Sequence, residues 1–223
     1  MVYAKLNQFL GRMTGDEKHT ASATSTLDVI WILYDRILNI SPTSTDDPRR
    51  DRFLLSKGHG PMAYYAVLCA KGFFPESWLD SFGALHSPLG QHPDRTLIPG
   101  VEISSGSLGH GLPIALGLAL ALNASNNPSS VYVLLGDGEL DEGSNHEAIA
   151  LAGRLKPASL TAIVIDNNSA AHGWPGGIAG RFEVEGWHAS TIDGRDHEAI
   201  TNALSSHPIG PKVVVAQTQA KYS

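Results

Sequence analysis

The chain has 223 residues, a formal net charge of −6 and one cysteine, with a pI of about 5.9. An acidic balance without a lysine or arginine cluster argues against a nucleic-acid partner. A single cysteine excludes an intrachain disulfide or a cysteine metal cage and fits a reducing, cytoplasmic setting. Residues Met1 to Leu10 lack the apolar core of a signal peptide, and the longest apolar run, Leu112 to Leu122, falls short of the roughly 20 residues that cross a bilayer. One domain over residues 1–223, off the membrane and with a substantial core, is therefore expected.

In chain order, residues 1 to 18 read as a short helix plus loop. Ser25 and Asp28 have the spacing of a capping box, and Leu27, Ile30, Trp31, Tyr34, Ile37 and Leu38 recur at helical spacing. Residues 41 to 50 form a polar loop. Phe53 to Leu55 is a short strand running into Ser56-Lys57-Gly58-His59-Gly60, which is either backbone kept open for a ligand or a turn around an idle histidine. Pro61 suits the first position of a helix that reaches about Lys71 and ends at Gly72. Cys69 on that helix is a small core residue, since no adjacent base recommends it as a nucleophile. Pro75 to about Leu85 reads as another short helix, followed by a loop from His86 to Gly100. Gly106-Ser107-Leu108-Gly109-His110-Gly111 then feeds a small-residue helix, Leu112 to Ala124. Such a loop is either an anion site at a helix N-terminus or a tight turn for close packing.

Val131 to Leu135 is an aliphatic, β-branched run that breaks at Gly136-Asp137-Gly138. Ser144 and Glu147 again have capping-box spacing, so Glu147 has a purely structural explanation available. Ile149, Leu151, Ala152 and Leu155 supply the buried face of a helix closed by Gly153 and Lys156-Pro157. Leu160 to Ile165 is the next strand, and it delivers Asp166, Asn167 and Asn168 at its end. One right-handed crossover places these two strands side by side, with Asp137 and Asn167 in the crevice at their C-terminal ends. Two hard oxygens there suit a small divalent ion holding a phosphate. Singly, GDG and Asn-Asn are ordinary turns. Beyond the glycine-rich stretch 169 to 180, strands are expected near 187 to 192 and 212 to 217, with Asp196 capping a helix through Leu204. The whole reads as a doubly wound, mostly parallel α/β sheet with helices on both faces.

GDGELDEGSNHEA followed by IDNN resembles the diphosphate-binding signature of thiamine diphosphate enzymes, and in detail the N-terminal part of the transketolase family. The resemblance implies that Asp137, Asn167 and the backbone carbonyl of Ser169 ligate Mg2+. It implies cofactor contacts from Gly136, Asp137, Gly138 and Glu139, and from Gly106, Ser107 and Leu108 of a GSLGQG-like loop in which His110 replaces glutamine. His59 matches the histidine of an SxGH element beside diphosphate and substrate. His92 matches a GHP element loosely, because Gln91 intervenes, and leaves His86 as a surface histidine. His19 lies where the family has a GH-x-G-x segment, without its glycines. Glu142 corresponds to a glutamate in a carboxylate chain linking two active sites across a subunit interface, and Glu147 supports the same cofactor region. AHGWPGG departs from the family pattern, and Trp174 there is either a cleft residue or an interface anchor. His172 has the same cleft reading.

The family's glutamate for the cofactor's aminopyrimidine comes from a separate pyrimidine-binding domain, for which the 223 residues have no room. The resemblance therefore implies either a diphosphate-binding subunit that needs a pyrimidine-binding partner, as an α2β2 heterotetramer, or a truncated piece of a longer enzyme. The implied reaction is transfer of a two-carbon ketol unit from a ketose or ketose phosphate to an aldose, with thiamine diphosphate and Mg2+ as cofactors. A deoxyxylulose-phosphate synthase, an E1 component of a 2-oxo acid dehydrogenase, a specialised biosynthetic transketolase-like enzyme and a non-catalytic interaction protein remain as alternatives.

Overall fold

The computed structural model describes residues 2–15, 20–170 and 173–218. Among these, seven α-helices alternate with five strands in one parallel sheet. The elements are α1 (Val2–Arg12), α2 (Thr20–Ile32), β1 (Arg52–Leu55), α3 (Met62–Ala70), α4 (Gly111–Ala124), β2 (Val131–Gly136), α5 (Gly143–Leu155), β3 (Leu160–Asp166), α6 (Gly177–Val184), β4 (His188–Asp193), α7 (His197–Ser205) and β5 (Lys212–Gln217). The strand order is β1-β2-β3-β5-β4.

Side chains along a strand alternate between faces, and here the alternation builds two cores. Tyr132, Leu134, Ile163, Ile165, Val214 and Ala216 pack beneath α1, α2, α3 and α7. Val131, Val133, Leu135, Ala162, Val164, Val213 and Val215 pack beneath α4, α5 and α6. A strand covered on both sides needs a continuous apolar run, which is why β2 and β3 are unbroken stretches of buried residues up to Asp166. Edge strand β4 is largely open to solvent and correspondingly more polar.

The structure revises several local expectations. Residue 25 is no N-cap: α2 begins five residues earlier, and its last turn widens into a π-helical turn over Leu33–Ile37. Ser144 and Glu147 do not cap either, because α5 begins at Gly143 behind Glu142, and the Ser144 hydroxyl donates to the Gly109 carbonyl at 2.6 Å. The helix after Pro75 is a six-residue 3-10 turn, Glu76–Ser81. Gly153 lies within α5 rather than at its end, where a Cβ would fall 1.7 Å from the Glu185 carbonyl oxygen. Lys156, in the left-handed conformation, closes the helix. Cys69 is buried on α3, and burial pushes its thiol up to about 11, which leaves it inert at neutral pH. Asp196 caps α7 as expected, accepting from the Glu198 and Ala199 N–H groups.

Asp28 joins α1, α2 and the turn before α7. Its carboxylate accepts from the Tyr3 hydroxyl, from Arg195 at 2.7 Å and from the His197 ring at 2.8 Å. Burial pushes this carboxyl up, but those hydrogen bonds outweigh it and hold the pKa below its ordinary value of 3.8. A depressed acid stabilises the fold above its unfolded pKa and loses that contribution as pH falls through its folded pKa. Asp28→Asn is accordingly expected to cost about 2 kcal/mol near neutrality. In urea unfolding, the gap to wild type should close at pH values below 3.8.

Candidate active site

Three adjacent strands end at the same edge of the sheet, and each hands its loop to one crevice. Asp137 follows β2 directly and its N–H donates to the Ile165 carbonyl at 3.0 Å, so the β2 and β3 loops begin in register. The Asp137 side chain is buried. One carboxylate oxygen accepts from the Gly138 N–H at 2.9 Å and the Ser169 hydroxyl at 2.6 Å. The other accepts from the N–H groups of Ser169 at 2.6 Å and Ala170 at 3.1 Å. A carboxylate has about four acceptor positions, so all are in use. Of the four donors, only the Ser169 hydroxyl is free to rotate away.

Asn167 is also buried, and its side-chain oxygen has no hydrogen-bond partner. A buried carbonyl left unmatched is costly and is met by an ordered water, an ion or another ligand. The Ser169 carbonyl oxygen lies beside the Asp137 turn, 3.5 Å from where a Cβ on Gly138 would stand. The Asp137 carboxylate and the Ser169 backbone meet at one turn, and Asn167 stands two residues before Ser169 at the end of β3. Carboxylate, amide oxygen and backbone carbonyl are the kinds of hard oxygen that Mg2+ takes. The residues fit that ion.

Around this spot the glycine segments interlock. The His59 and His92 rings meet edge to face with centroids 5.0 Å apart. Behind them, Gly106 has φ of +149°, and a Cβ there would stand 2.8 Å from the His92 ring. A Cβ on Gly58 would come within 2.7 Å of the Gly106 nitrogen. The loops after β1, before α4 and around His92 therefore touch through backbone and imidazole. Ser107 and His110 are exposed, and Leu108 is half-buried.

Glu139 holds this assembly from beneath. It is buried, and one carboxylate oxygen accepts from the Ser56 hydroxyl and, at 2.9 Å, from the Gly109 N–H. The second accepts a long bond of 3.4 Å from the Gly136 N–H. Burial pushes the Glu139 carboxyl up, opposed by these donors and by the nearby Lys57 charge. Ser56 in turn accepts from the Gly111 N–H at 3.0 Å, and Asn145 donates to the Glu139 carbonyl at 2.6 Å. The inward direction of Glu139 has no signature in the sequence, which places it among the crevice contacts.

Glu142 and Glu147 are exposed at the start of α5. Glu142 stands against Gly109, and Glu147 opens onto an apolar groove with Pro113, Leu116, Leu120 and Leu151. The structure thus brings His59, His92 and Gly106 into contact, joins Asp137 to Ser169 and places Asn167 at the end of β3. It sets Glu142 against Gly109 and leaves Glu147 on the groove beyond. His19 and His172 lie outside the described residues.

Residues 14–218 match the family model described as the transketolase thiamine diphosphate-binding domain. The chain belongs to the transketolase family. It is 38% identical over 208 residues to an apulose-4-phosphate transketolase chain of Actinobacillus succinogenes, itself named as one subunit of its enzyme, covering 90% of this chain and 75% of that protein. It is 57% identical over 216 residues to a Rhodococcoides fascians protein named ferredoxin fas2, covering 96% of this chain and 71% of that protein. Iron–sulfur clusters of ferredoxins are held by cysteine thiolates, typically about four, and this chain has one cysteine. The ferredoxin part of that name therefore finds no counterpart in these residues.

A transketolase from Pichia stipitis superposes with a TM-score of 0.79 at 28% identity, over 92% of this chain and 36% of that one. The chain thus spans just over a third of that solved transketolase. The doubly wound thiamine diphosphate-binding fold is the one expected from the sequence.

Proposed function

We propose that this chain is the diphosphate-binding subunit of a split transketolase-like enzyme, acting with a partner subunit that carries the pyrimidine-binding domain, as an α2β2 assembly in a reducing, cytoplasmic compartment. The observation that carries the reading is the unmatched, buried Asn167 oxygen at the end of β3, the strand paired in register with the β2 end that leads into Asp137. Asp137, Asn167 and the Ser169 carbonyl hold Mg2+. The carboxylate supplies charge, and the two neutral oxygens complete the set without overloading it. Gly106, Ser107 and Leu108 wall the cofactor, and Gly136 and Gly138 let backbone approach its diphosphate. Bound thiamine diphosphate supplies the nucleophilic carbon and the electron sink; orientation and proton handling fall to the protein.

His59 and His92, in contact with each other, hold and move protons at the hydroxyls of a ketose donor, with His19 as a third candidate. Glu139 supports the loops from below, and Glu142 and Glu147 face the partner subunit. The donor is a ketose or ketose phosphate and the acceptor an aldose, a class supported by the relative named for apulose 4-phosphate. Among the described residues no helix is long and apolar enough to cross a membrane.

The test is reconstitution. The chain, co-purified with a subunit that carries a pyrimidine-binding domain, is expected to transfer a two-carbon unit from ketose phosphates to aldoses only with Mg2+ and thiamine diphosphate present. Release of CO2 from pyruvate in place of ketol transfer would move the enzyme to the deoxyxylulose-phosphate synthase or 2-oxo acid dehydrogenase class.

A further inference from the structure

The stretch after β3 departs from the family pattern at Trp174, and the structure gives this side chain a definite seat. Its indole lies nearly parallel to the His146 ring, at 10° with centroids 4.9 Å apart. The Arg181 guanidinium stands 5.7 Å from the indole centroid and is itself fixed by Glu185 at 3.0 Å. The ring also packs against the core beneath α4, α5 and α6, and the Trp174 carbonyl accepts from the Gly177 N–H at 2.8 Å.

Both flanks of the clasp lead to the cation site. His146 lies in the first turns of α5 next to Asn145, which donates to the Glu139 carbonyl inside the turn that begins with Asp137. Along the chain, Trp174 comes five residues after Ser169, a span of at most about 17 Å when fully extended. Pinning one end of so short a tether restricts the other. A loop ordered beforehand loses less conformational entropy when its ligand binds.

We propose that Trp174 is a positioning residue for the cation–diphosphate site: clasped by His146 and Arg181, it keeps the loop of Asn167 and Ser169 ordered before the ligand arrives. This rests on the thiamine diphosphate reading above. The test is isothermal titration of Mg2+ plus thiamine diphosphate into the chain complexed with its partner subunit, beside Asp137→Ala. Trp174→Ala is expected to raise the dissociation constant roughly tenfold, the scale of losing an outer support of a metal ligand. Trp174→Phe, which still stacks on His146, should recover most of that loss. His146→Ala should weaken binding in the same direction, and adding it to Trp174→Ala should do no further harm, as for two residues acting as one unit. Tryptophan emission should change on cofactor addition in wild type and much less in Trp174→Phe.

Wild-type affinity in both Trp174→Ala and His146→Ala, with Asp137→Ala inactive in binding, overturns the clasp and leaves the cofactor reading standing. Absence of binding in the wild-type complex overturns both. Should Trp174→Ala fail to fold, His146→Ala on the exposed face of α5 carries the test alone.

Discussion

Asp137→Ala is expected to weaken Mg2+-dependent binding of thiamine diphosphate by about 100-fold or more, the consequence of stripping the charged partner from a buried ion contact. Asp137 carries two loads. It is the charged member of the proposed ligand set, and its carboxylate gathers the N–H groups of Gly138, Ser169 and Ala170 together with the Ser169 hydroxyl. Lost affinity in Asp137→Ala therefore mixes a missing ligand with a loosened loop. Asn167→Ala separates the two, because its side-chain oxygen has no protein partner to lose. In calorimetry Asn167→Ala should bind Mg2+ and the cofactor at least tenfold more weakly, with a urea midpoint equal to wild type. A variant that loses stability but keeps its affinity would mean that the amide does structural service only.

How far such a site is legible in sequence depends on whether its geometry is local. Strands β2 and β3 announce themselves as unbroken aliphatic runs because both of their faces are covered, and the crossover between adjacent parallel strands then brings Asp137 and Asn167 together. His59 and His92 are placed by motif, and their contact is made between the loop after β1 and the irregular stretch that leads into α4. The failures share a different cause. Residue 25 and Ser144 fit a capping pattern that α2 and α5 override, the first by starting a turn early and the second because Ser144 finds the Gly109 carbonyl on another loop. Gly153 reads as a helix terminator, yet it exists to let the Glu185 carbonyl approach α5. The direction of Glu139 and the stacking of Trp174 on His146 depend on partners 83 and 28 residues away in sequence. Periodicity carries no record of such distances.

Glu139 is where that hidden geometry has its largest energetic consequence. Glu139→Ala removes the acceptor of the Ser56 hydroxyl and of the Gly109 and Gly136 N–H groups at once, leaving donors stranded in a buried site. A cost of about 3 kcal/mol is expected in urea unfolding, with cofactor affinity falling as well, because the segment after β1, the loop before α4 and the end of β2 all lean on this carboxylate. Glu139→Gln should be far milder, since its carbonyl can still serve Ser56 and Gly109 and no charge has to be kept out of water. Both variants remove the titrating carboxyl, and Glu139→Gln, which keeps the packing, isolates its pH dependence. Burial holds the Glu139 carboxyl above its ordinary value of 4.5, so folding disfavours its ionised form. Wild-type stability relative to Glu139→Gln must then fall as pH rises from 4.5 through the raised folded pKa, and level off above it. The reverse slope, with wild type gaining on glutamine as pH rises, would mean that the donors around Glu139 outweigh its burial. Either slope measures how much charge the protein keeps beneath its proposed diphosphate site, where a second negative group is least welcome unless Lys57 and Mg2+ balance it.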